Sequence, residues 1–242
     1  SKRLAVSERL ASVGFLAAGV AHEINNPLGI MSGYAESALR RLRSPTRDAE
    51  LDKQLISDLE IIREEAFRCK RITHQLLDLS RMGDSHRSAV SLWEVIENVE
   101  TLLAASSAAK DRRMKTSGDR MDSLLVSGSK PELKQVLLNL ATNAMEAVRP
   151  SEGQVEIRAA RNNGWAEIEV RDNGCGMTEE ILRHVFEPFF TMKKGQAGLG
   201  LGLAISHAIV ERHGGALLAA SEGADRGSVF TVRLPVLTEG SS

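Results

Sequence analysis

Near the start of the sequence, the residues best suited to chemistry are His22 and Glu23, which are adjacent within a helical pattern. His22 lies two positions after Val20, a residue of the apolar seam, so its side chain is predicted to project outward. A neutral imidazole is a good nucleophile through one ring nitrogen, and a neighbouring carboxylate can take the proton from the other ring nitrogen. Pro27 costs a helix about 3 kcal/mol and indicates a bend beside this pair. A lone helical histidine is usually a solvated surface residue, but this combination is typical of a phosphoryl acceptor.

Two amides follow in a later helix. Asn139 and Asn143 are four residues apart, which places both side chains on one helical face. Amide oxygens are suitable neutral ligands for a hard cation such as Mg²⁺ that also holds phosphate oxygens. Two asparagines at this spacing also occur often by chance, so the pair alone has little weight.

A carboxylate next to glycines follows a predicted strand. Asp172 could accept a hydrogen bond from an exocyclic amine of a base, and Gly174 and Gly176 would let the backbone approach a ligand. The alternative is an ordinary glycine turn. The pattern therefore indicates a base-binding loop only if other elements support it.

A second glycine cluster, Gly198, Gly200 and Gly202, precedes a predicted helix whose N-terminus and backbone N–H groups could face phosphate. Its spacing fits neither a Rossmann fingerprint nor a P-loop. The preceding segment, Phe186 to Lys194, mixes aromatic and basic residues. It is either a hydrophobic plug with a solvated tail or a mobile lid whose lysine meets phosphate.

The elements that position these residues fall into two groups. Seam residues alternate at spacings of four and three from Val6 to Ala38, and again from Leu55 to Leu76, with a break at residues 44–48. This predicts two long antiparallel helices. One such hairpin cannot cover both of its apolar faces, so we expect a homodimer with a four-helix bundle.

The polar, glycine-containing segment 82–88 is predicted to be a linker. After it we expect helices and strands that build an α+β sandwich, with helices on one face of an antiparallel sheet. The predicted helices are 91–110, 129–148 with a capping box, 178–186 and 202–213. The predicted strands are 154–160 and 165–171 around an Asn163-Gly164 hairpin turn, then 216–221 and 228–235. The expected domains are residues 1–86 and 87–242.

Composition limits the class of protein. The 242 residues have a mass of 26.3 kDa, 42% hydrophobic and 26% charged residues and a net charge of -1, typical of a soluble globular protein in two domains. The charge balance gives no global field that favours nucleic acid or an anionic membrane. The longest uncharged run, Leu10 to Ala21, is too short to span a bilayer. We expect a cytoplasmic fragment without membrane contact, from a parent chain that could carry a membrane anchor.

The motifs occur in one order along the chain: His22-Glu23-x-x-Asn26-Pro27-Leu28, Asn139-x-x-x-Asn143, Asp172-x-Gly174-x-Gly176, Phe186-Glu187-Pro188-Phe189 and Gly198-x-Gly200-x-Gly202. In that order they resemble the H, N, G1, F and G2 boxes of the sensor histidine kinases of two-component systems. The resemblance covers about Leu10 to Pro235 and looks most like the nitrogen-regulator type.

The resemblance implies a dimerisation and phosphotransfer hairpin joined to a Bergerat-type ATP-binding sandwich, which uses ATP and Mg²⁺ and passes its phosphoryl group to a response-regulator aspartate. It implies that His22 accepts the γ-phosphoryl group and that Glu23 acts as base. It also implies that Asn143 ligates Mg²⁺, that Asn139 supports metal and phosphates, and that Asp172 binds the adenine amine, with Gly174 and Gly176 in the same loop. The ATP lid would contain Lys193, Gly198, Gly200 and Gly202.

It also implies that Asn26 positions the water that attacks the phosphorylated regulator, which would give phosphatase activity. An equally weighted alternative is that Asn26 caps backbone groups freed by Pro27. The sequence departs from the family pattern at Glu146, where a lysine is common, and at Leu199, where a threonine is common. A hydrolytic Bergerat ATPase and a nucleotide-binding scaffold without turnover are the competing interpretations. Asn139 disfavours the ATPase, because an amide cannot take a proton from water.

Overall fold

The computed structural model describes residues 24–43, 49–80, 87–104, 112–118, 120, 124–192 and 200–237. The chain divides into two compact units, of which the first contains the two N-terminal helices and the second contains the α/β elements. Within the described ranges, no helix combines the length and the apolar character that crossing a membrane requires.

The first unit is a pair of long helices. Helix α1 is described over residues 24–42, and α2 spans Ala49–Ser80. Pro27 is buried within α1. Arg41 donates to Gln54 Oε1 at 3.1 Å and forms an ion pair with the buried Asp58, so the end of α1 contacts the beginning of α2 as an antiparallel hairpin requires. The predicted break at residues 44–48 lies outside the described residues.

The predicted α2 seam separates into two faces in the structure. Leu55 and Ile72 are buried within the chain, together with Asp58, whereas Leu59 is 60% exposed. The residues that face α1 are therefore offset from the predicted series, because the buried Asp58 with its Arg41 partner occupies a position that the apolar pattern does not include. The apolar side chain of Leu59 is therefore not buried by other residues of the same chain.

The second unit is built on a five-stranded sheet with the strand order β2-β4-β5-β7-β6. Only β2 and β4 pair in parallel, and the other neighbours are antiparallel. A separate two-stranded sheet pairs β1 with β3. The elements are β1 Ser88–Ser91, α3 Leu92–Ala104, β2 Arg113–Gly118, β3 Leu125–Gly128, α4 Lys130–Ala147, β4 Gln154–Asn162, β5 Trp165–Asp172, α5 Glu179–His184, α6 Gly202–Arg212, β6 Ala216–Ala220 and β7 Ser228–Pro235.

The core lies between one face of this sheet and the helices. Alternate residues of β4 and β5 are buried, among them Ile157 and Ile168, because successive side chains of a strand point to opposite faces. Helix α4 packs on β4 and β5, α6 packs on β6 and β7, and α3 packs on α4. The other face is polar, with Glu156 opposite Arg171 and Arg158 opposite Glu169. The predicted sandwich, with helices on one sheet face, is confirmed, but the sheet is mixed rather than antiparallel because β2 pairs in parallel with β4.

The predicted hairpin turn is confirmed in detail. Asn163 and Gly164 have φ of 48° and 84°, which is the conformation that joins two antiparallel strands through two residues. The predicted strands and the helices at 178–186 and 202–213 end within two residues of the observed ones. The helix predicted over 91–110 is α3, which is described as far as Ala104.

The sequence interpretation missed β1, β2 and β3. Strands β1 and β3 have only four residues each, too few for a clear alternating pattern. Strand β1 begins at the last residue of the predicted linker and leads directly into α3. The predicted capping box at α4 is wrong. Ser129 makes no side-chain cap; its N–H donates to His213 Nε2 at 3.0 Å, and Glu132 accepts from Arg212 at 3.0 Å. Tertiary partners have replaced the local ones.

Candidate functional site

The structure describes part of the predicted site. His22, Glu23, Lys193 and Gly198 lie outside the described residues, and Leu199 does too. Asn26 is described, and it is an exposed residue of α1. The site can therefore be built from the α/β unit, where the remaining predicted residues lie.

Helix α4 supplies the two amides. Its buried side includes Leu133, Leu137 and Leu140, which pack into the core, and this packing leaves Asn139 and Asn143 half-buried on another side. Asn139 Nδ2 donates to Ser206 Oγ on α6 at 3.0 Å. The pair is thus carried on a helix fixed by the core, one turn apart, with neutral amide oxygens of the kind that Mg²⁺ accepts as ligands. Glu146, the departure from the family pattern, is exposed on the same helix.

Asp172 is the last residue of β5, and only 6% of its surface is exposed. Burial raises the pKa of its carboxyl group above the ordinary value of 3.8, and backbone hydrogen bonds from Gly174 and Ser228 oppose that rise because they favour the charged form. The Gly174 N–H donates to Asp172 Oδ1 at 2.8 Å. A buried carboxylate held by backbone donors is a strong acceptor for a further N–H group.

The loop after Asp172 is hydrogen-bonded to the C-terminal end of α4. Cys175 N–H donates to the carbonyl of Ala147 at 3.2 Å, and the Gly227 N–H donates to the carbonyl of Gly174 at 3.1 Å. Because Ala147 lies one turn after Asn143, the bond from Cys175 brings the end of α4 that carries Asn143 to the loop that directly follows Asp172. The structure therefore brings together two of the predicted groups.

The glycines of this loop are required by the protein itself. A Cβ on Gly174 would lie 2.4 Å from the Ala147 carbonyl oxygen, and one on Gly176, where φ is +64°, would lie 2.0 Å from the Gly223 carbonyl oxygen. Real Cβ contacts of this kind do not occur. The sequence interpretation attributed these glycines to the approach of a ligand. In the structure, other parts of the protein's own backbone lie so close to them that a side chain would not fit.

The second glycine cluster lies against α4. A Cβ on Gly202 would lie 2.3 Å from Asn139 Oδ1, so the first turn of α6 packs directly on the amide. Gly200 has φ of +64°, and its carbonyl accepts a hydrogen bond from the Phe189 N–H at 3.2 Å. The backbone that leads into α6 is thus held beside the aromatic motif and beside the side of α4 that carries Asn139 and Asn143, which we call the amide face.

Phe186 of the aromatic motif packs between rings, as the hydrophobic-plug interpretation predicts. The Phe186 ring lies between the His207 ring of α6, with centroids 5.0 Å apart, and the Phe230 ring of β7, at 6.4 Å. His184 Nδ1 and Glu187 Oε1 are 2.9 Å apart at the motif's surface. The other interpretation, a mobile lid whose lysine contacts phosphate, concerns Lys193, which lies outside the described residues.

Three residues that organise the site were missed from the sequence. Ser206 binds Asn139, and His213 binds the N-terminus of α4. Ser221 Oγ accepts from the Met177 N–H at 2.9 Å and lies 2.7 Å from the Gly227 carbonyl oxygen, which it can bind as donor. Single serines at ordinary positions carry no sequence signal, and His213 shows only as the residue before the Gly214-Gly215 helix end.

Taken together, the described groups suit an adenine nucleotide. Asp172 offers an acceptor for an exocyclic amine, the amides of α4 offer oxygens for a cation, and the start of α6 offers backbone N–H groups for anionic phosphate. These groups lie around the junction of α4, α6 and the loop after β5.

Two family models match the chain. Residues 12–85 match the His Kinase A (phospho-acceptor) domain, and residues 128–238 match the histidine kinase-, DNA gyrase B- and HSP90-like ATPase family. The second match contains all the described residues of the candidate site in the α/β unit.

Curated relatives match over nearly the whole chain. The signal transduction histidine-protein kinase AtoS of Escherichia coli (strain K12) is 34% identical over 242 residues, which are 99% of this chain and 38% of AtoS. The sensor histidine kinase ZraS of Klebsiella oxytoca is 37% identical over 231 residues, which are 95% of this chain and 47% of ZraS. The chain thus spans less than half the length of these relatives.

A solved structure is similar to the chain in fold. The histidine kinase ThkA in complex with the response regulator protein TrrA matches with a TM-score of 0.75 and 29% identity, over 97% of this chain and 65% of that one. The phospho-acceptor and ATPase family matches occur in the order of the motifs in the sequence. The chain belongs to the family of two-component sensor histidine kinases.

Proposed function

We propose that the chain is an ATP-dependent protein-histidine kinase, which phosphorylates its own His22 and passes the phosphoryl group to an aspartate of a response regulator. The observation that carries the proposal is the buried Asp172, which the loop after β5 holds beside the end of α4 that carries Asn143. This arrangement would provide an acceptor for adenine and a ligand for a cation.

The nucleotide would be held by groups of different chemistry. Asp172 would accept from the exocyclic amine of adenine, and the backbone near Gly200 and Gly202 would face the phosphates, together with Lys193 and Gly198. Asn143 would hold Mg²⁺, with support from Asn139, and the cation would neutralise charge on the phosphate oxygens. The amide donor set fits a hard cation, because its oxygens are neutral and compatible with additional phosphate ligands.

The acceptor would be the imidazole of His22. It would attack the γ-phosphorus, the bond from that phosphorus to the bridging oxygen of ADP would break, and Glu23 would take the proton from the other ring nitrogen. Asn139 is an amide and cannot take a proton from water, which favours transfer to histidine over hydrolysis. His22 also lies inside the phospho-acceptor family match.

The partners would be a second copy of the chain and a response regulator. The apolar residues exposed on the hairpin support a dimeric four-helix bundle, and the relative ThkA is named in a complex with a response regulator. Asn26 is exposed on α1, where it could orient a water toward the regulator's phosphoryl group and give phosphatase activity. We place the domain boundary after residue 86 and the chain in the cytoplasm.

The test is incubation of the chain with γ-labelled ATP and Mg²⁺, followed by acid and base treatment of the labelled protein. We expect a label that is lost in acid and kept in base, as for phosphohistidine. His22→Gln should abolish labelling while nucleotide binding by calorimetry stays unchanged. His74→Gln, the same substitution at another histidine of the hairpin, is the matched control and should keep the label.

Two results would contradict the proposal. Full labelling of His22→Gln would exclude His22 as the acceptor. An acid-stable label, or steady release of phosphate without any labelled protein, would indicate a different phosphotransfer or a simple ATPase.

A further inference from the structure

Helices α4 and α6 are joined at two points along their contact. At one end, the N–H of Ser129 donates to His213 Nε2 at 3.0 Å, and Arg212 donates to Glu132 Oε1 at 3.0 Å. His213 Nδ1 lies 2.7 Å from the Ile209 carbonyl oxygen, so its ring connects the C-terminus of α6 to the N-terminus of α4. The two helices therefore have a fixed register at the end away from the nucleotide site.

At the other end, the link is the Asn139 side chain. Its Nδ2 donates to Ser206 Oγ at 3.0 Å, and its Oδ1 packs on Gly202, where a Cβ would approach to 2.3 Å. Gly202 and Ser206 are one helical turn apart, so the carboxamide lies along one face of α6. Ser206 is only 1% exposed, which shields this hydrogen bond from water.

The two contacts decide which way the carboxamide faces. The Nδ2 end donates to the Ser206 hydroxyl in the second turn of α6, and the Oδ1 end lies against Gly202 in the first turn. Without that hydroxyl, the amide group would keep its packing against Gly202 and lose its buried hydrogen-bond partner. It would then rotate or bind a water molecule in place of the hydroxyl, because a partly buried amide loses free energy when its hydrogen bond is not replaced.

We propose that Ser206 is a positioning residue of the nucleotide site, which holds the Asn139 carboxamide against the first turn of α6 and couples the amide face of α4 to that helix. The inference rests on the proposed function, in which Asn139 supports metal and phosphates. Ser206 acts only through Asn139, and this distinguishes it from a serine that merely fills space between two helices.

A double-mutant cycle tests this coupling in the full chain. The variants are Ser206→Ala, Asn139→Ala and the double variant, and the probe is a non-hydrolysable ATP analogue with Mg²⁺, titrated by calorimetry. We expect Ser206→Ala to weaken binding about fivefold, as for loss of one hydrogen bond of ordinary strength. In the Asn139→Ala background the same substitution should have no further effect, because its partner is already absent.

Glu132→Gln is the matched control. It weakens the other link between the same two helices, so it should lower the melting temperature without changing the analogue's affinity. Initial rates of autophosphorylation against ATP concentration give a second measurement, in which Ser206→Ala should change kcat/KM and Glu132→Gln should not.

The outcomes separate this inference from the kinase proposal. Equal fivefold losses in both backgrounds would show that Ser206 acts independently of Asn139 and would overturn the inference, as would wild-type affinity of Ser206→Ala. If the wild type binds the analogue but never labels His22, the kinase proposal fails while the binding cycle still decides the role of Ser206. Absence of analogue binding by the wild type would overturn both.

Discussion

The helical hairpin and the α/β unit bury apolar side chains to very different degrees. In the α/β unit, large side chains such as Ile96, Leu140 and Ile157 are fully buried between the sheet and its helices. In the described part of the hairpin, large apolar side chains remain exposed within one chain, and they include Leu28, Leu39, Leu42, Ile56, Leu59 and Phe67.

This difference shows that the two units complete their cores in different ways. A sheet covered by helices encloses its own apolar residues, whereas each helix of a pair has two apolar sides and can bury only one of them against its partner. The exposed side of the hairpin is therefore the surface on which a second copy would pack, whereas the core of the α/β unit is already buried within one chain.

The largest expected effect is loss of the dimer. Replacing Leu59 and Phe67 by glutamate should give a monomer at micromolar concentration, because each apolar side chain contributes about 1.5 to 3 kcal/mol on burial, twice per dimer, and buried unpaired charge is costly. Light scattering measures the mass. Leu218→Glu, at an exposed leucine of the α/β unit, is the control and should leave the mass unchanged.

If the double variant keeps the mass of the wild type, the exposed apolar side of the hairpin is not the dimer interface. If the wild type is itself a monomer, the exposed apolar side of the hairpin does not bind a second copy, and the inference from the comparison of the two units is wrong.

The next effect concerns nucleotide affinity, which should depend on the α/β unit. Asp172→Asn removes the charge of the adenine acceptor and should weaken nucleotide binding roughly 10- to 100-fold, as expected for hydrogen bonds to charged groups. Calorimetry with a non-hydrolysable analogue measures the change. Glu169→Gln lies on the same strand but on the polar outer face, and we expect it to bind like the wild type. Equal affinities of Asp172→Asn and wild type would remove Asp172 from the site.

A smaller effect is expected from the ion pair inside the hairpin. Arg41→Ala leaves the buried carboxylate of Asp58 without its partner and should lower the free energy of unfolding by about 2 kcal/mol. Urea unfolding followed by circular dichroism measures this loss. Replacing both residues by leucine should recover most of it, since an apolar pair leaves no buried charge. A double variant as unstable as Arg41→Ala would show that the pair itself is needed.

The smallest effect is a pH dependence of stability in the α/β unit. Because burial raises the pKa of Asp172 above 3.8, the folded state binds a proton more tightly than the unfolded state. The free energy of unfolding should therefore fall as pH rises from about 3.8 through the raised pKa, by at most about 1.4 kcal/mol per pH unit, and be constant above it. Asp172→Asn should lack this fall. Parallel urea-unfolding profiles of the two proteins between pH 4 and 8 would contradict the prediction.

Much of the fold follows from local patterns in the sequence. The Asn163-Gly164 turn, the alternation of β4 and β5 and the glycine that begins α6 are properties of short segments, and the observed elements agree with them. The short strands β1 and β3 and the capping of α4 do not follow, because their partners lie far away in the sequence.

The sequence by itself determined the chemistry that each candidate residue can perform: a carboxylate at 172, amides at 139 and 143, and a nucleophilic imidazole at 22. Only the tertiary structure decided what each of them contacts. Asn139 is hydrogen-bonded to Ser206, 67 residues away in the sequence, and Ser129 is hydrogen-bonded to His213, 84 residues away. A helical period states which side of a helix is apolar but not which helix will cover it. That choice depends on long-range packing, which is why the glycines at 174 and 202 are explained by the protein's own backbone and by Asn139.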